Sequence, residues 1–211
     1  SLPFAPRAVA AALAFGRTQP VWPGIARHAD NSCRLFVQML GAGFDAHIVH
    51  TLPLALKRML GRGAYVVQTL RQLPRYDYQP SAGRRDGRER RAASVIVSKG
   101  RLYGGSYLLA PDARPGEPGF SVSLFEHGGA AAALFYGAAL PLNQLSRAPG
   151  VRHLRAKKIE FFGNIAIPSQ TDGDAAGCVP LSVTDAPAPI PVVVGLPLLR
   201  TVSPPAQPGG S

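Results

Sequence analysis

The chain has 211 residues, of which 46% are apolar, and 23 Lys and Arg against 12 Asp and Glu give it a net charge of +11. This length allows one substantial core, and the apolar content excludes a disordered chain. Its 21 prolines and 23 glycines are scattered without a period, which excludes collagen and favours many short strands over long helices.

The predicted elements begin with a helix at residues 6–16, because Pro6 suits a first helical turn and Gly16 suits the exit. A strand at 32–39 and a tight turn at 41–43 follow, and helices are predicted at 45–59 and 61–73. Later strands are predicted at 75–78, 93–98, 102–109, 120–125, 159–167 and 179–183, with helical or irregular segments at 130–140 and 149–153. The pattern predicts an α+β fold, predominantly antiparallel β, with a few inserted helices.

The positive charge favours anionic partners, such as phosphorylated ligands, acidic lipid surfaces or nucleic acid. Aromatic residues make up only 8% and do not alternate regularly with basic ones, so we expect no nucleic-acid partner. An arginine-rich run is most simply a solvated loop between strands, or alternatively a patch for anionic headgroups. Its members are Arg84, Arg85, Arg88, Arg90 and Arg91.

No segment predicts a membrane span, because the uncharged stretch 128–146 is rich in Ala and Gly and contains Pro141. The two cysteines, Cys33 and Cys178, match no metal-ligand spacing, and the five histidines do not either. A reduced, intracellular setting is therefore expected.

Three stretches carry candidate chemistry, and each also has a purely structural explanation. Gly41-Ala42-Gly43-Phe44-Asp45 could face an anion with free N–H groups, or could simply be a tight turn into a helix. The loop after Gly104-Gly105 carries Asp112 and Glu117, which could bind Mg²⁺ or be solvated turn residues. Asp172-Gly173-Asp174 is a strong hairpin signal whose carboxylates could also take part in catalysis.

In this order and spacing, these stretches resemble the C-terminal domain of the bacterial diacylglycerol kinase family, which includes sphingosine kinases. The resembling residues are Gly41–Ala46 with LKRMLGRGAYVVQTLRQL, Lys99-Gly100, Gly104-Gly105, Ala110-Pro111-Asp112-Ala113 and Gln170–Asp174. The resemblance spans 5–194 and implies a β-sandwich-like lipid kinase domain. It also implies an ATP-dependent transfer of the γ-phosphoryl group to a lipid alcohol such as diacylglycerol, with Mg²⁺, at the inner surface of the membrane.

The resemblance also implies roles for individual residues. Asp174 would accept the proton of the lipid hydroxyl, Asp172 would support its loop, and Gly173 would be a cofactor-binding residue between them. Glu117 would be a Mg²⁺ ligand, together with the carbonyls of Arg114 and Gly119. Lys99 stands where many relatives have Asn and is assigned no role.

The family's Gly-Gly-Asp-Gly-Thr nucleotide loop is absent from these 211 residues. We therefore expect 1–26 to be the exit segment of a missing nucleotide-binding domain, 27–195 the sandwich domain, and 196–211 a return segment and a disordered tail. The chain alone should be inactive, and its oligomeric state is left open. Two alternatives are a non-catalytic module that binds anionic lipid surfaces and a kinase of a soluble substrate such as a dinucleotide.

Overall fold

The computed structural model describes residues 5–43, 46, 81–85, 88–104, 107–162 and 167–194. The chain divides into two compact units, one formed by Ser1–Gln19 with Pro191–Ser211 and the other by Pro20–Ile190. The first unit contains helix α1 (Pro6–Phe15), which begins at Pro6 as predicted and ends where the Gly16 N–H donates to the Ala12 carbonyl at 2.7 Å.

The described residues form sixteen strands, numbered in chain order. They are β1 (Arg17–Val21), β2 (Gly24–His28), β3 (Cys33–Phe36), β4 (Met39–Ala42), β5 (Ser81–Arg85), β6 (Arg88–Ala92), β7 (Ser94–Ser98), β8 (Leu102–Tyr103), β9 (Tyr107–Leu108), β10 (Phe120–Phe125), β11 (Val151–Ala156), β12 (Lys158–Phe162), β13 (Pro168–Thr171), β14 (Asp174–Cys178), β15 (Leu181–Asp185) and β16 (Ile190–Val194).

The second unit is built from two six-stranded sheets. The first sheet has the order β11-β10-β7-β4-β13-β14 and the second has the order β3-β2-β15-β12-β5-β6. Neighbouring strands pair antiparallel in both sheets. Strand β1 pairs with β16, and β8 pairs with β9 in a short hairpin.

The main core lies between the two sheets, because strands of both contribute buried apolar side chains to one cluster. Phe36, Phe161 and Val183 come from the second sheet, and Val97 and Phe120 come from the first. Alternate residues of the strands face this core, as the two-residue period of a strand requires. The predicted β-sandwich-like fold is confirmed.

The outer face of the first sheet is covered as well. Met39, Ile96 and Phe125 point away from the main core and form a second cluster with Tyr136 of helix α2 (Ala130–Ala139). The rings of Phe125 and Tyr136 meet edge-on, with centroids 5.2 Å apart. This second cluster explains why β7 and β10 are buried along their whole length.

Several sequence predictions were wrong in detail. The strand predicted at 32–39 is divided into β3 and β4, and the first two residues of the turn predicted at 41–43 belong to β4. The arginine-rich run is not a loop, because all five arginines belong to the β5–β6 hairpin at an edge of the second sheet, where charged residues are well tolerated. The segment 102–109 forms the two strands of a hairpin, and 149–153 leads into a strand. The strand predicted at 159–167 ends at Phe162 and is followed by 163–166, which lie outside the described residues.

The predicted elements at 45–59, 61–73 and 75–78 lie outside the described residues. Within the part of the chain that the structure describes, no helix is long and apolar enough to cross a bilayer.

Candidate functional site

The β13–β14 turn, residues 171–174, is a tight connection that holds both candidate carboxylates. Thr171 and Asp174 are paired across the hairpin, and Asp172 and Gly173 have positive φ angles of 50° and 90°. Asp and Gly tolerate this left-handed backbone region better than most residues, so the Asp-Gly sequence suits the turn. The hairpin predicted at this position is present.

The Asp172 carboxylate binds the corner between β3 and β4. The backbone N–H groups of Gln38 and Met39 both donate to its Oδ1 at 2.9 Å, and the N–H of Val37 donates to its Oδ2 at 2.8 Å. The Asp172 N–H in turn donates to the Met39 carbonyl at 2.9 Å. Asp172 therefore fixes the position of the turn, and all these contacts stabilise structure rather than reach a substrate.

Replacing Asp172 by Ala should lower the free energy of unfolding by about 3 kcal/mol, because three N–H groups lose a charged acceptor. Asn should cost less, since its side-chain oxygen can still accept and Asn also tolerates a positive φ. Urea unfolding of the parent and of the two variants measures the difference. Asp112→Ala is the control, because Asp112 is exposed and Arg155 contacts its backbone oxygen rather than its carboxylate; an equal loss in that variant would contradict the role of Asp172.

Asp174 lies on the other side of the turn. It is the first residue of β14, the edge strand of the first sheet, and its side chain is exposed. Asp172 anchors the turn two residues earlier, so the backbone that carries Asp174 is held in place while its carboxylate remains accessible. Gly173 lies between the two, and its N–H donates to the Gln170 side-chain oxygen at 2.8 Å.

The same β3–β4 corner is held from the opposite side by residues 99–102. The N–H groups of Lys99 and Gly100 donate to the Gln38 carbonyl at 2.9 and 3.1 Å, and Gln38 Nε2 donates to the Leu102 carbonyl at 2.7 Å. A Cβ at position 100 would lie 2.1 Å from Gln38 Oε1. A side chain at position 100 would displace the Gln38 amide, so glycine leaves room for the hydrogen bond from Gln38 to Leu102.

Lys99 is a fully buried cation between the two sheets. Its Nζ forms an ion pair with Asp185 at the end of β15 and donates to the Gly119 carbonyl at 2.9 Å. The Gly119 N–H donates to Asp185 Oδ2 at 2.7 Å, and the ammonium lies 4.3 Å from the centroid of the Phe120 ring. Burial holds the pKa of Lys99 below its usual range, and the hydrogen bond and charge of Asp185 oppose this shift.

The residues expected to bind Mg²⁺ contact other groups in this structure, and their role in metal binding stays a prediction. Each of the three oxygens already has a partner: Glu117 Oε1 pairs with Arg114 Nη1 at 3.0 Å, the Arg114 carbonyl accepts the Glu117 N–H at 3.1 Å, and the Gly119 carbonyl accepts Lys99. A metal at Gly119 would also face the Lys99 ammonium at close range, where like charges repel strongly. Nor does any group of His, Cys, Asp and Glu among the described residues have the arrangement of a metal site.

Strand pairing places the two candidate regions at one end of the first sheet. Ser121 pairs with Ser98, which pairs with Met39, and in the next row Leu40 pairs with Thr171, which pairs with Asp174. The 112–119 loop runs directly into β10, and four strand spacings of about 4.8 Å put β10 and β14 roughly 19 Å apart. The structure therefore brings Asp172, the Gln38 corner, Lys99 and Gly119 into one connected network, and the strand that follows the 112–119 loop lies four positions from β14 in the sheet.

Sequence analysis assigned no role to Lys99 and did not single out Asp185. Each residue is a single charge that closes an apolar strand, SVIVS and LSVT respectively. A charge in such a position needs an opposite charge when it is buried, so the two strand ends could have been paired. The candidate stretch 41–45 is described only in part. Gly43 has a φ of 105°, and its N–H donates to the Pro168 carbonyl. Phe44 and Asp45 lie outside the described residues.

The region that contains this network matches a known protein family. Residues 38–194 match the model of the YegS C-terminal NAD kinase beta sandwich-like domain. The chain belongs to this family. Asp172, Asp174, Lys99, Glu117 and Asp185 all lie inside the matched region, so the network is part of the family domain.

Individual relatives agree with this assignment. The chain is 28% identical over 148 residues to a Chromohalobacter salexigens protein named "Probable lipid kinase YegS-like", a match that covers 66% of this chain and 45% of that protein. A diacylglycerol kinase structure from Bacillus anthracis matches with a TM-score of 0.62 at 17% identity, and another structure from that organism matches with 0.65 at 18%. Both structural matches cover 88% of this chain and 60% of the other, and they show the shared fold.

Proposed function

We propose that this chain is the lipid-binding and base-supplying domain of an ATP-dependent lipid kinase. The observation that carries the proposal is the family match over 38–194, with Asp174 exposed at the start of an edge strand whose preceding turn is fixed by Asp172. The chain spans less than half the length of the curated relative. The nucleotide, with the Mg²⁺ that accompanies ATP, would accordingly be held by the remainder of a longer protein.

Asp174 is assigned the role of proton acceptor for the lipid hydroxyl. A carboxylate is too weak a base to remove a proton from a free alcohol. In a loose phosphoryl-transfer transition state it needs only to orient the hydroxyl and accept the proton late, as the new oxygen–phosphorus bond forms and the bond to the β-phosphate breaks. Asp172 positions the turn, and no step is assigned to a metal at the 112–119 loop.

Lys99 would act as a positioning residue within the same domain. It connects the Gln38 corner, which Asp172 also binds, to Gly119 and Asp185. The cation of this network is part of the protein, so the shape of the 112–119 loop would not depend on divalent ions. Peripheral contact with an anionic membrane surface is part of the proposal, because the lipid alcohol resides there and the chain carries a net charge of +11.

Product analysis tests the proposal directly. The full-length protein should transfer radiolabelled phosphate from ATP to diacylglycerol, whereas the 211-residue chain should transfer none, because the chain lacks a Gly-Gly-Asp-Gly-Thr loop. Labelled lipid formed by the chain alone would contradict the proposal that the nucleotide is bound by the remainder of a longer protein. If the full-length protein forms no labelled lipid, the proposed lipid kinase activity is contradicted.

A dinucleotide kinase is the second candidate, because the matched family is described as an NAD kinase beta sandwich-like domain. Including NAD as an acceptor in the same assay separates the two, since a labelled dinucleotide and a labelled lipid are different products. If neither product forms but the protein binds anionic vesicles, the non-catalytic lipid-binding module is favoured.

A further inference from the structure

Helix α2 exposes an apolar surface that the catalytic proposal does not use. Tyr136, Ala133 and Ala139 are buried, whereas Leu134 is 51% exposed and Phe135 is 49% exposed. Leu142, just past the helix, is 70% exposed. The exposed residues recur at helical spacing and form what we call the apolar stripe: Ala131, Leu134, Phe135, Ala138 and Leu142.

The composition of α2 is unusual for a helix that faces water. Its sequence, AAAALFYGAA, has no charged residue, and its one polar side chain, Tyr136, is turned inward. A helix on the surface of a globular domain normally carries charged and polar residues on its outer side. A contiguous exposed apolar surface of this kind marks a binding site for a protein or a membrane.

The stripe continues towards the β8–β9 hairpin. This hairpin lies beside the end of α2, because the Leu108 N–H donates to Asn143 Oδ1 at 2.9 Å and Leu109 packs in the second cluster with Tyr136. Leu102 of the hairpin is itself exposed. The apolar surface therefore combines two elements of the same unit.

The charges within the segments that form this surface are positive, and the nearby Glu126 is paired with Arg152. These two segments, 90–111 and 127–159, contain no Asp or Glu. Arg101 lies next to Leu102, and Arg147 ends the short 3-10 helix that follows Leu142; both are exposed. An apolar surface with exposed positive charge beside it matches a membrane with acidic lipids, in which apolar side chains insert and basic ones contact headgroups.

We propose that the apolar stripe, with Leu102, Arg101 and Arg147, docks this domain onto an anionic bilayer. Leu134, Phe135 and Leu142 would enter the boundary between headgroups and acyl chains, and the two arginines would contact anionic headgroups. This inference rests on the proposed function only in that a lipid kinase needs such a surface; the residues are separate from Asp172, Asp174 and Lys99.

Sedimentation of the full-length protein with vesicles tests the docking surface. The vesicles contain phosphatidylcholine alone, or phosphatidylcholine and phosphatidylglycerol in equal parts. Partition onto the anionic vesicles should fall at least about tenfold in Leu134→Ser/Phe135→Ser, because two half-exposed apolar side chains no longer insert. Arg101→Gln and Arg147→Gln should each lower it roughly fivefold on anionic vesicles only.

Leu35→Ser is the matched control, because Leu35 is 65% exposed on β3 of the second sheet, away from the stripe. Its partition should equal that of the parent. Equal partition of parent and Leu134→Ser/Phe135→Ser would overturn the proposal, as would equal binding to the two kinds of vesicle. A change of oligomeric state in the double variant without vesicles would assign the stripe to a protein contact instead, and would also overturn it.

Activity on a dispersed substrate separates this inference from the proposed function. With a short-chain diacylglycerol dissolved below its aggregation limit, Leu134→Ser/Phe135→Ser should retain the turnover of the parent. With long-chain diacylglycerol in anionic vesicles, turnover should fall in step with partition. If no variant phosphorylates either lipid but partition behaves as expected, the kinase proposal fails and the docking surface stands.

Discussion

Replacing Asp174 by Asn in the full-length protein should lower kcat for lipid phosphorylation by about 10² to 10⁴-fold, the usual contribution of a positioned general base. The amide keeps the size and hydrogen-bonding reach of the carboxylate but cannot accept the proton of the hydroxyl. Initial rates at saturating ATP and lipid, with the radiolabelled product quantified, measure the loss.

Binding to lipid separates a catalytic from a structural effect of this change. Asp174 is exposed at the start of β14, so the Asn variant should unfold at the same urea concentration as the parent and bind anionic vesicles equally well. Asp112→Asn changes an exposed carboxylate of the 112–119 loop and should leave kcat near that of the parent. Full activity of Asp174→Asn would remove the catalytic assignment and leave the domain as a lipid-binding module.

Much of the fold could be predicted because many of its strands are short apolar or alternating runs that end at a turn residue. The boundaries of β10 were predicted residue for residue, since FSVSLF is an apolar run bounded by Gly and Glu. The β5–β6 hairpin was missed because its residues are arginines, and only pairing with β12 across the sheet makes a strand of them. The local composition indicates a turn at this position, whereas pairing with the neighbouring strands of the sheet makes the segment a strand.

The candidate site could be predicted only where the residues that form it are adjacent in the sequence. Asp172-Gly173-Asp174 is a hairpin turn in the sequence and in the structure. What Asp172 binds could not be predicted, because Val37 and Gln38 are more than a hundred residues away in the chain. Lys99 was assigned no role because it stands where many relatives have Asn, and its partner Asp185 belongs to the other sheet.

Replacing Lys99 by Met should lower the free energy of unfolding by about 3 kcal/mol, a large fraction of the stability of an ordinary domain. Methionine fills the space of the side chain but leaves the Asp185 carboxylate, which is only 17% exposed, without its cation. It also leaves the Gly119 carbonyl without the Lys99 donor. Urea unfolding monitored by tryptophan fluorescence measures the loss, since the backbone N–H of Trp22 donates to the Pro115 carbonyl in the adjoining loop.

Arg114→Met provides the matched control for a lost ion pair. The Arg114–Glu117 pair lies in the same loop, but both of its side chains are exposed. Its loss should therefore lower the free energy of unfolding by less than about 1 kcal/mol. Combining Lys99→Met with Asp185→Asn should restore part of the stability, because no unpaired buried charge is left. Purely additive losses in that double variant would show that the two residues do not act as a pair.

The pH dependence gives a further test of the buried ammonium. Because burial holds the pKa of Lys99 below 10.5 in the folded chain, the unfolded chain binds more protons at this residue between the folded pKa and 10.5. The free energy of unfolding therefore gains a contribution from Lys99 that rises with pH through this window. The stability difference between the parent and Lys99→Met should then widen as the pH approaches 10.5. A difference that narrows instead would mean that the attraction of Asp185 outweighs desolvation and raises the pKa, so that the ammonium is the favoured form in the core.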